Sequence, residues 1–286
     1  MEQFLMYLLF PQWQGAGHLP ALAQGARRLA HLAPDLSWHE VPITATESLT
    51  VQGGILGRAP LLRHLKTVLA LLAAQPPTRL FTLGGDCAAE LVPIAALNAR
   101  YGPELTLVWL DAHGDLNTPA SSPSGTFHGM PLRHLLGEGD AEVLAALPST
   151  LRPSQVVLAG VRELDPPEQA YVDAQGWIPV AAATLNAQPT AVGDLLTQRG
   201  ARKLYVHLDL DVLDPTEFSA LGWPTPGGLT LGALLSLLKD LHARFEVVGG
   251  GLTEYLPGAA DQEERAAQVL HAWRGQEGED DVVIAD

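Results

Sequence analysis

Cysteine is nearly absent from this chain: among 286 residues only Cys87 carries a thiol. One thiol excludes an internal disulfide and fits a reducing compartment, so cytoplasm is the expected location. Basic residues are also scarce, 17 against 32 acidic ones, for a formal net charge of −15. That deficit argues against a nucleic-acid partner, which is held chiefly by Lys and Arg on phosphates. A cationic or metal-bound ligand suits such a field better. The chain also lacks any uninterrupted apolar run of the roughly 20 residues a membrane-spanning helix needs, so no membrane partner is expected. The opening Met1–Phe10 is apolar, but Glu2 stands where a leader would be basic, and Pro11-Gln12-Trp13 follows with no small-residue cleavage pattern. It reads as a first strand.

What is present is the composition of a packed protein, 47% hydrophobic and 17% charged. A single α/β domain over residues 1–275 is expected, followed by an acidic, frayed tail, Gln276–Asp286. Apolar runs of strand length occur at Met6–Phe10, Arg79–Leu83, Thr106–Leu110, Gln155–Ala159, Lys203–Leu208 and Phe245–Gly250, with weaker ones at Ser37–Val41 and Trp177–Val180. Between them, apolar residues recur at three and four over Ala59–Ala74, Ala88–Tyr101, Thr190–Arg199, Leu229–Ala243 and Ala259–Trp273, the spacing of helices. The alternation predicts βαβ units and a three-layer αβα sandwich, with helices on both faces of a mainly parallel sheet of about eight strands. No fixed period is visible, which argues against solenoids and propellers.

The polar residues fall where these strands end. Gly84-Gly85-Asp86-Cys87 follows one, Asp111-Ala112-His113-Gly114-Asp115 the next, Asp165 lies past a third, Asp209-Leu210-Asp211 ends a fourth and Glu254 follows a fifth. Ligands of open α/β sheets bind at the carboxyl ends of strands, so these segments are predicted to meet in one crevice. Asp111, His113 and Asp115 are spaced by two, as are Asp209 and Asp211, so in extended geometry each set points to one side. Together they offer more hard O and N ligands than one ion needs, and shared carboxylates are how two divalent ions are held about 3.5–4 Å apart. Carboxylates with an imidazole suit Mn²⁺ or a similar ion, where structural zinc favours thiolates and imidazoles. A single D-x-D pair would more simply cap a loop or helix.

The run Asp111–Asp115, followed by Asn117-Thr118-Pro119 and Ser124-Gly125-Thr126-Phe127-His128-Gly129, resembles the metal and substrate loop of the arginases. Asp209-Leu210-Asp211-Val212-Leu213-Asp214-Pro215, continuing to Gly227-Gly228-Leu229-Thr230, resembles their second metal motif, and Glu254-Tyr255-Leu256-Pro257 their catalytic glutamate segment. Order and spacing agree from about Arg79 to Trp273. The resemblance implies an arginase-like fold and a hydrolase that attacks a guanidinium with a metal-bridging hydroxide, releasing urea and ornithine from L-arginine or the corresponding amine from a close derivative. It implies two divalent ions, Mn²⁺ above all. Asp111 and Asp209 would bridge them, Cys87 and Asp115 would complete one site, and His113 and Asp211 the other. Asp115 would also hydrogen-bond the hydroxide, Glu254 hold the guanidinium, and His128 serve proton transfer. Asn117, Ser124 and Thr126 would face the substrate carboxylate and Asp165 the α-ammonium. A homo-oligomer, trimer or hexamer, is implied as well.

Taken singly, these residues also have plainer readings: His128 as a loop histidine, Glu254 as a cap of the last helix, Asp165 ahead of Pro166 as an N-cap, Asn117 and Ser124 as turn residues. His18, His31, His39, His64, His134 and His271 match nothing in the pattern and are expected at the surface or in packing. The chain departs from the family at Cys87, which stands where a metal-binding histidine is usual. A thiolate there predicts a weakened first metal site, or one leaning to zinc, iron or cobalt; the alternative is an inert buried thiol. Thr126 replaces a usual asparagine, and Trp223 a small polar residue near the guanidinium pocket. These changes leave open another ureohydrolase, acting on agmatine, a guanidino acid or formiminoglutamate, and a catalytically weak metal-binding paralogue.

Overall fold

The structure, a computed structural model, describes residues 4–44 and 48–275. The acidic tail expected from Gln276 lies outside the described residues. In chain order the strands are β1 (Leu5–Phe10), β2 (Trp38–Glu40), β3 (Val51–Gln52), β4 (Ile55–Leu56), β5 (Arg79–Gly84), β6 (Leu105–Leu110), β7 (Val156–Ala159), β8 (Lys203–Asp209) and β9 (Glu246–Thr253). The helices are α1 (Ala21–His31), α2 (Arg58–Ala74), α3 (Leu91–Tyr101), α4 (Pro131–Leu135), α5 (Ala141–Ala146), α6 (Pro166–Gln175), α7 (Ala182–Ala187), α8 (Ala191–Gln198), α9 (Leu231–Arg244) and α10 (Ala260–Arg274). A seven-stranded sheet runs in the order β2-β1-β5-β9-β8-β6-β7, and every pairing in it is parallel. Its helix-covered faces give the expected α/β sandwich.

Alternation along each strand sends side chains to two separate cores. Tyr7, Leu9, Val108, Leu110, Val206 and Leu208 meet α1 and α7 to α10 on one face. Met6, Leu8, Leu107, Trp109, Leu158 and Tyr205 meet α2 to α6 on the other. Strands buried on both faces explain why the sequence shows continuous apolar runs there instead of alternation.

The differences from expectation are local. Trp177–Val180 forms no strand; only Val180 bridges to Ala159, because Pro179 removes a ladder donor. The additional strands are the hairpin pair β3 and β4. Ala88–Tyr101 is split: Asp86 caps a short 3₁₀ turn, Cys87–Glu90, through Ala88 N at 3.0 Å, and the α-helix starts at Leu91. The predicted helix from Leu229 starts at Leu231, where Thr230 Oγ1 accepts from Ala233 N at 3.1 Å. No helix among the described residues is long and apolar enough to cross a membrane.

Candidate metal centre and cleft

The carboxyl ends of β5, β6, β8 and β9 open into a cleft of about 280 Å³. Cys87, His113, Asp115, Asn117, Ser124, Thr126, His128, Asp165, Asp209, Asp211 and Glu254 line it, joined by Ser122, Glu163, Glu168 and Trp223. Asp111 is the exception among the expected site residues: it is fully buried beneath the cleft. The crevice expected from strand ends is therefore present.

Each side chain is set by its strand end. Asp111 Oδ1 accepts from His113 N at 2.6 Å, turning the chain back on itself as β6 ends. His113 Nδ1 then lies 2.9 Å from Asp211 Oδ2 and 3.5 Å from Asp111 Oδ1. On β8 the device repeats, Asp209 Oδ1 accepting from Asp211 N at 2.7 Å. Arg162 clamps the same turn by donating to the carbonyls of Asp211 at 2.9 Å and Thr225 at 2.6 Å. Asp115 and Glu254 are the only non-glycine residues with positive φ among the described residues, at 51° and 63°. Such backbone costs about 1–3 kcal/mol per residue and persists where the surroundings demand it. Here it turns both carboxylates into the cleft.

Cys87 does not stand apart from the acids. Its thiol donates to Asp209 Oδ2 at 3.0 Å and lies 3.8 Å from Glu254 Oε1. Burial, then Asp209 and the other carboxylates, push that thiol well up from its ordinary value. Glu254 Oε1 also accepts from Cys87 N at 3.3 Å and lies 3.3 Å from His128 Nδ1. Burial opposes a charge on His128, but Glu254 outweighs it and raises the imidazole pKa. The His128 ring packs 4.4 Å from Trp223. Further out, Asn117 Nδ2 donates to Asp165 Oδ2 at 2.8 Å, and the hydroxyls of Ser124 and Thr126 pair at 2.6 Å. Asp165 also occupies the N-cap position of α6, so its plainer reading holds. Glu254 does not cap the last helix; α10 begins at Ala260.

Several groups at the site were given no role by the sequence. Glu168 accepts from Leu116 N and Asp165 N, both at 2.8 Å, and ties the β6 loop to α6. Asp86 accepts from Gly15 N at 2.7 Å and Gln12 Nε2 at 3.1 Å; burial and then Glu254 push its carboxyl up to about 7. His207 and Glu90 are both fully buried beneath the acids, with His207 Nδ1 2.8 Å from Glu90 Oε1. Burial disfavours charge on His207, but Glu90 and Asp111 prevail and raise it to about 9. Its place two residues before Asp209 was a usable signal, since alternate strand residues share a face. His64 and His134 are packing residues, as expected.

The donor set fits divalent cations. One donor atom each from Asp111, His113 and Asp211 lie within 4.8 Å of one another, as do those from Cys87, Asp209 and Glu254. Burial, followed by mutual repulsion, drives Asp115 and Asp209 well above the carboxylate range and Asp211 up to about 6. Buried Asp115 Oδ2 and Glu254 Oε2 have no hydrogen-bond partner. Crowded, unpartnered acids of this kind lack a positive charge.

Comparison with known proteins agrees with this geometry. The chain is 35% identical over 188 residues to an arginase of Staphylococcus aureus (strain MRSA252), a match covering 61% of this chain and 59% of that protein. It thus spans a little under two thirds of that relative's length. The fold matches the crystal structure of Entamoeba histolytica arginase in complex with L-ornithine, with a TM-score of 0.86 at 21% identity over 96% of this chain and 100% of the other. Formimidoylglutamase from Bacillus subtilis subsp. subtilis str. 168 shares the fold at a TM-score of 0.71 and 20% identity, covering 96% and 87%. A model of the family described as "Arginase family" matches residues 19–273, and the chain belongs to that family.

Proposed function

We propose that this chain is a metal-dependent ureohydrolase that cleaves the guanidinium of L-arginine or a close derivative to urea and ornithine or the corresponding amine. The observation that carries the reading is the shared cleft: a carboxylate with a free oxygen, Glu254, stands beside His128 and the buried acids, while paired polar groups line the outer part. A guanidinium is a resonance-stabilised cation and a poor electrophile. Two divalent ions, held by Asp111, His113, Asp209 and Asp211 with Cys87 and Asp115, would supply the acidity that makes water nucleophilic near pH 7.

The chain's own residues do the rest. Glu254 Oε2 holds the guanidinium by a charge-assisted hydrogen bond. With Nδ1 turned to Glu254, His128 keeps Nε2 to hold a proton for the departing amine. Trp223 walls the reacting end against water. The hydroxyls of Ser124 and Thr126, with Asn117, offer donors to a carboxylate, and Asp165 an acceptor to an ammonium. L-Ornithine, bound by the structural neighbour from Entamoeba histolytica, carries both of those groups.

Cys87 favours a second reading, a metal-binding protein of low activity, because its thiol donates to Asp209. Urea release by the protein loaded with Mn²⁺, Co²⁺ or Zn²⁺, measured over a panel of guanidino compounds, separates the two. Urea from arginine, abolished in Asp111→Ala and cut in His128→Ala, is the expected result. No urea from any compound with any metal would leave the second reading standing.

A further inference from the structure

Beneath the cleft lies an imidazole that the reaction above does not use. His207 sits on β8 two positions before Asp209, is 0% exposed and stacks on Trp109 with ring centroids 3.5 Å apart and planes at 15°. Its Nδ1 lies 2.8 Å from Glu90 Oε1. Its Nε2 is buried with no hydrogen-bond partner. Donor atoms of His207, Cys87, Asp111 and Asp115 all lie within 4.8 Å of one another. Ligands about 2.0–2.3 Å from a common ion stand at most about 4.6 Å apart, so this spacing is close to what one ion requires.

We propose that His207 Nε2 is a ligand of the first metal site, beside Cys87, Asp111 and Asp115, and that Glu90 is the positioning carboxylate that fixes its ring. The proposal rests on the two-metal reading above. Metal-bound histidines regularly give their other ring nitrogen to a buried carboxylate, which sets the tautomer and orientation. Glu90 has been given room for that task, since it fills the space a side chain at position 251 would take, and position 251 is glycine. A plain ion pair with Asp111 accounts for the ring less well. The separation of Nε2 from Asp111 Oδ2 is 3.5 Å, beyond good hydrogen-bond length, and Trp109 Nε1 already donates to that oxygen at 3.2 Å. An imidazole is thus offered to the first site from β8 instead of from position 87 itself.

X-ray absorption of the full chain loaded with two equivalents of Zn²⁺ tests this without reference to turnover. The expected count is about two imidazoles per pair of ions, from His113 and His207, falling to about one in His207→Phe, which keeps the stack on Trp109. Calorimetric titration with Zn²⁺ should show Glu90→Gln weakening the first site about 10–100-fold. One imidazole per ion pair in the unaltered chain overturns the proposal and makes His207 a cation held between Glu90 and Asp111, and so does unchanged affinity in both variants. Where a variant loses its near-ultraviolet circular dichroism, the imidazole count of the unaltered chain decides. Uptake of fewer than two ions overturns the two-metal reading together with this one; two ions with a single imidazole overturn only the ligand role.

Discussion

Glu254 combines a strained backbone, 2% exposure and one carboxylate oxygen without a partner. Glu254→Gln keeps the shape and removes the charge, so urea release should fall about 10²–10³-fold, the scale of losing one electrostatic contact to a transition state. Because it also relieves repulsion among buried acids, the same variant should melt at a higher temperature than the parent in metal-free buffer. A lower melting temperature would contradict the crowding described here. His64, which does not line the cleft, offers a pH-dependent effect of its own. It is 2% exposed, its Nε2 accepts from Thr44 N at 3.2 Å, and burial, aided by Arg63, pushes its pKa down to about 4. The folded value lies below the ordinary 6.5, so the unfolded chain binds the proton more readily, and stability complete above pH 6.5 declines as pH falls toward 4. Melting temperatures of the parent and His64→Gln should converge over that window. At this scale the arrays Asp111-x-His113-x-Asp115 and Asp209-x-Asp211 were legible from their place at strand ends, but the first lies beyond β6, where a turn and the positive φ of Asp115, instead of a strand's period of two, set its side chains. Cys87 and Glu254 were placed in the crevice by their strand ends, but their roles came only with the family's motifs. His207 and Glu90 stayed hidden because a lone imidazole inside an apolar strand looks like packing.

Helix α1 shows what patterning alone does not convey. Its residues Ala21–His31 begin after Pro20 without a side-chain cap and carry Gly25 inside, so no start signal announced it. In the fold, Gly25 lies against the Tyr255 carbonyl oxygen, where an added Cβ finds no room. Alanine normally gains about 1 kcal/mol over glycine within a helix. Here the obstacle is backbone just beyond Glu254, which cannot rotate away, so overpacking by about 1–3 kcal/mol wins. Gly25→Ala is expected to lower the melting temperature, and an increase would show that α1 can shift. The long strands were legible because burial on both faces demands unbroken apolar runs. The hairpin of β3 and β4 was not, since two-residue strands leave too few positions for any period. It braces the loop that carries Ser124 and Thr126: Leu56 N donates to the Gly125 carbonyl at 2.8 Å.

For the whole molecule, the crowded acids in and beneath the cleft predict a stability that depends on cations. A ligand bound only by the folded state, at 100 times its dissociation constant, adds about 2.7 kcal/mol. Each kcal/mol moves the melting temperature by about 2–4 °C in a chain of this size. Mn²⁺ in excess should therefore raise it by several degrees over chelator-treated protein, and identical melting curves with and without the metal would contradict the centre. The parallel architecture followed from alternating strands and helices, but strand order did not, because a sequence holds no record of which edge each crossover joins. That order has its own consequence for biosynthesis. Of the described strands β9 is the last to leave the ribosome, yet it lies between β5 and β8 at the middle of the sheet. Until Thr253 has emerged, the nascent chain holds two half-built sheets with facing unpaired edges, and slow translation before Glu246 prolongs the interval in which those edges can capture another polypeptide.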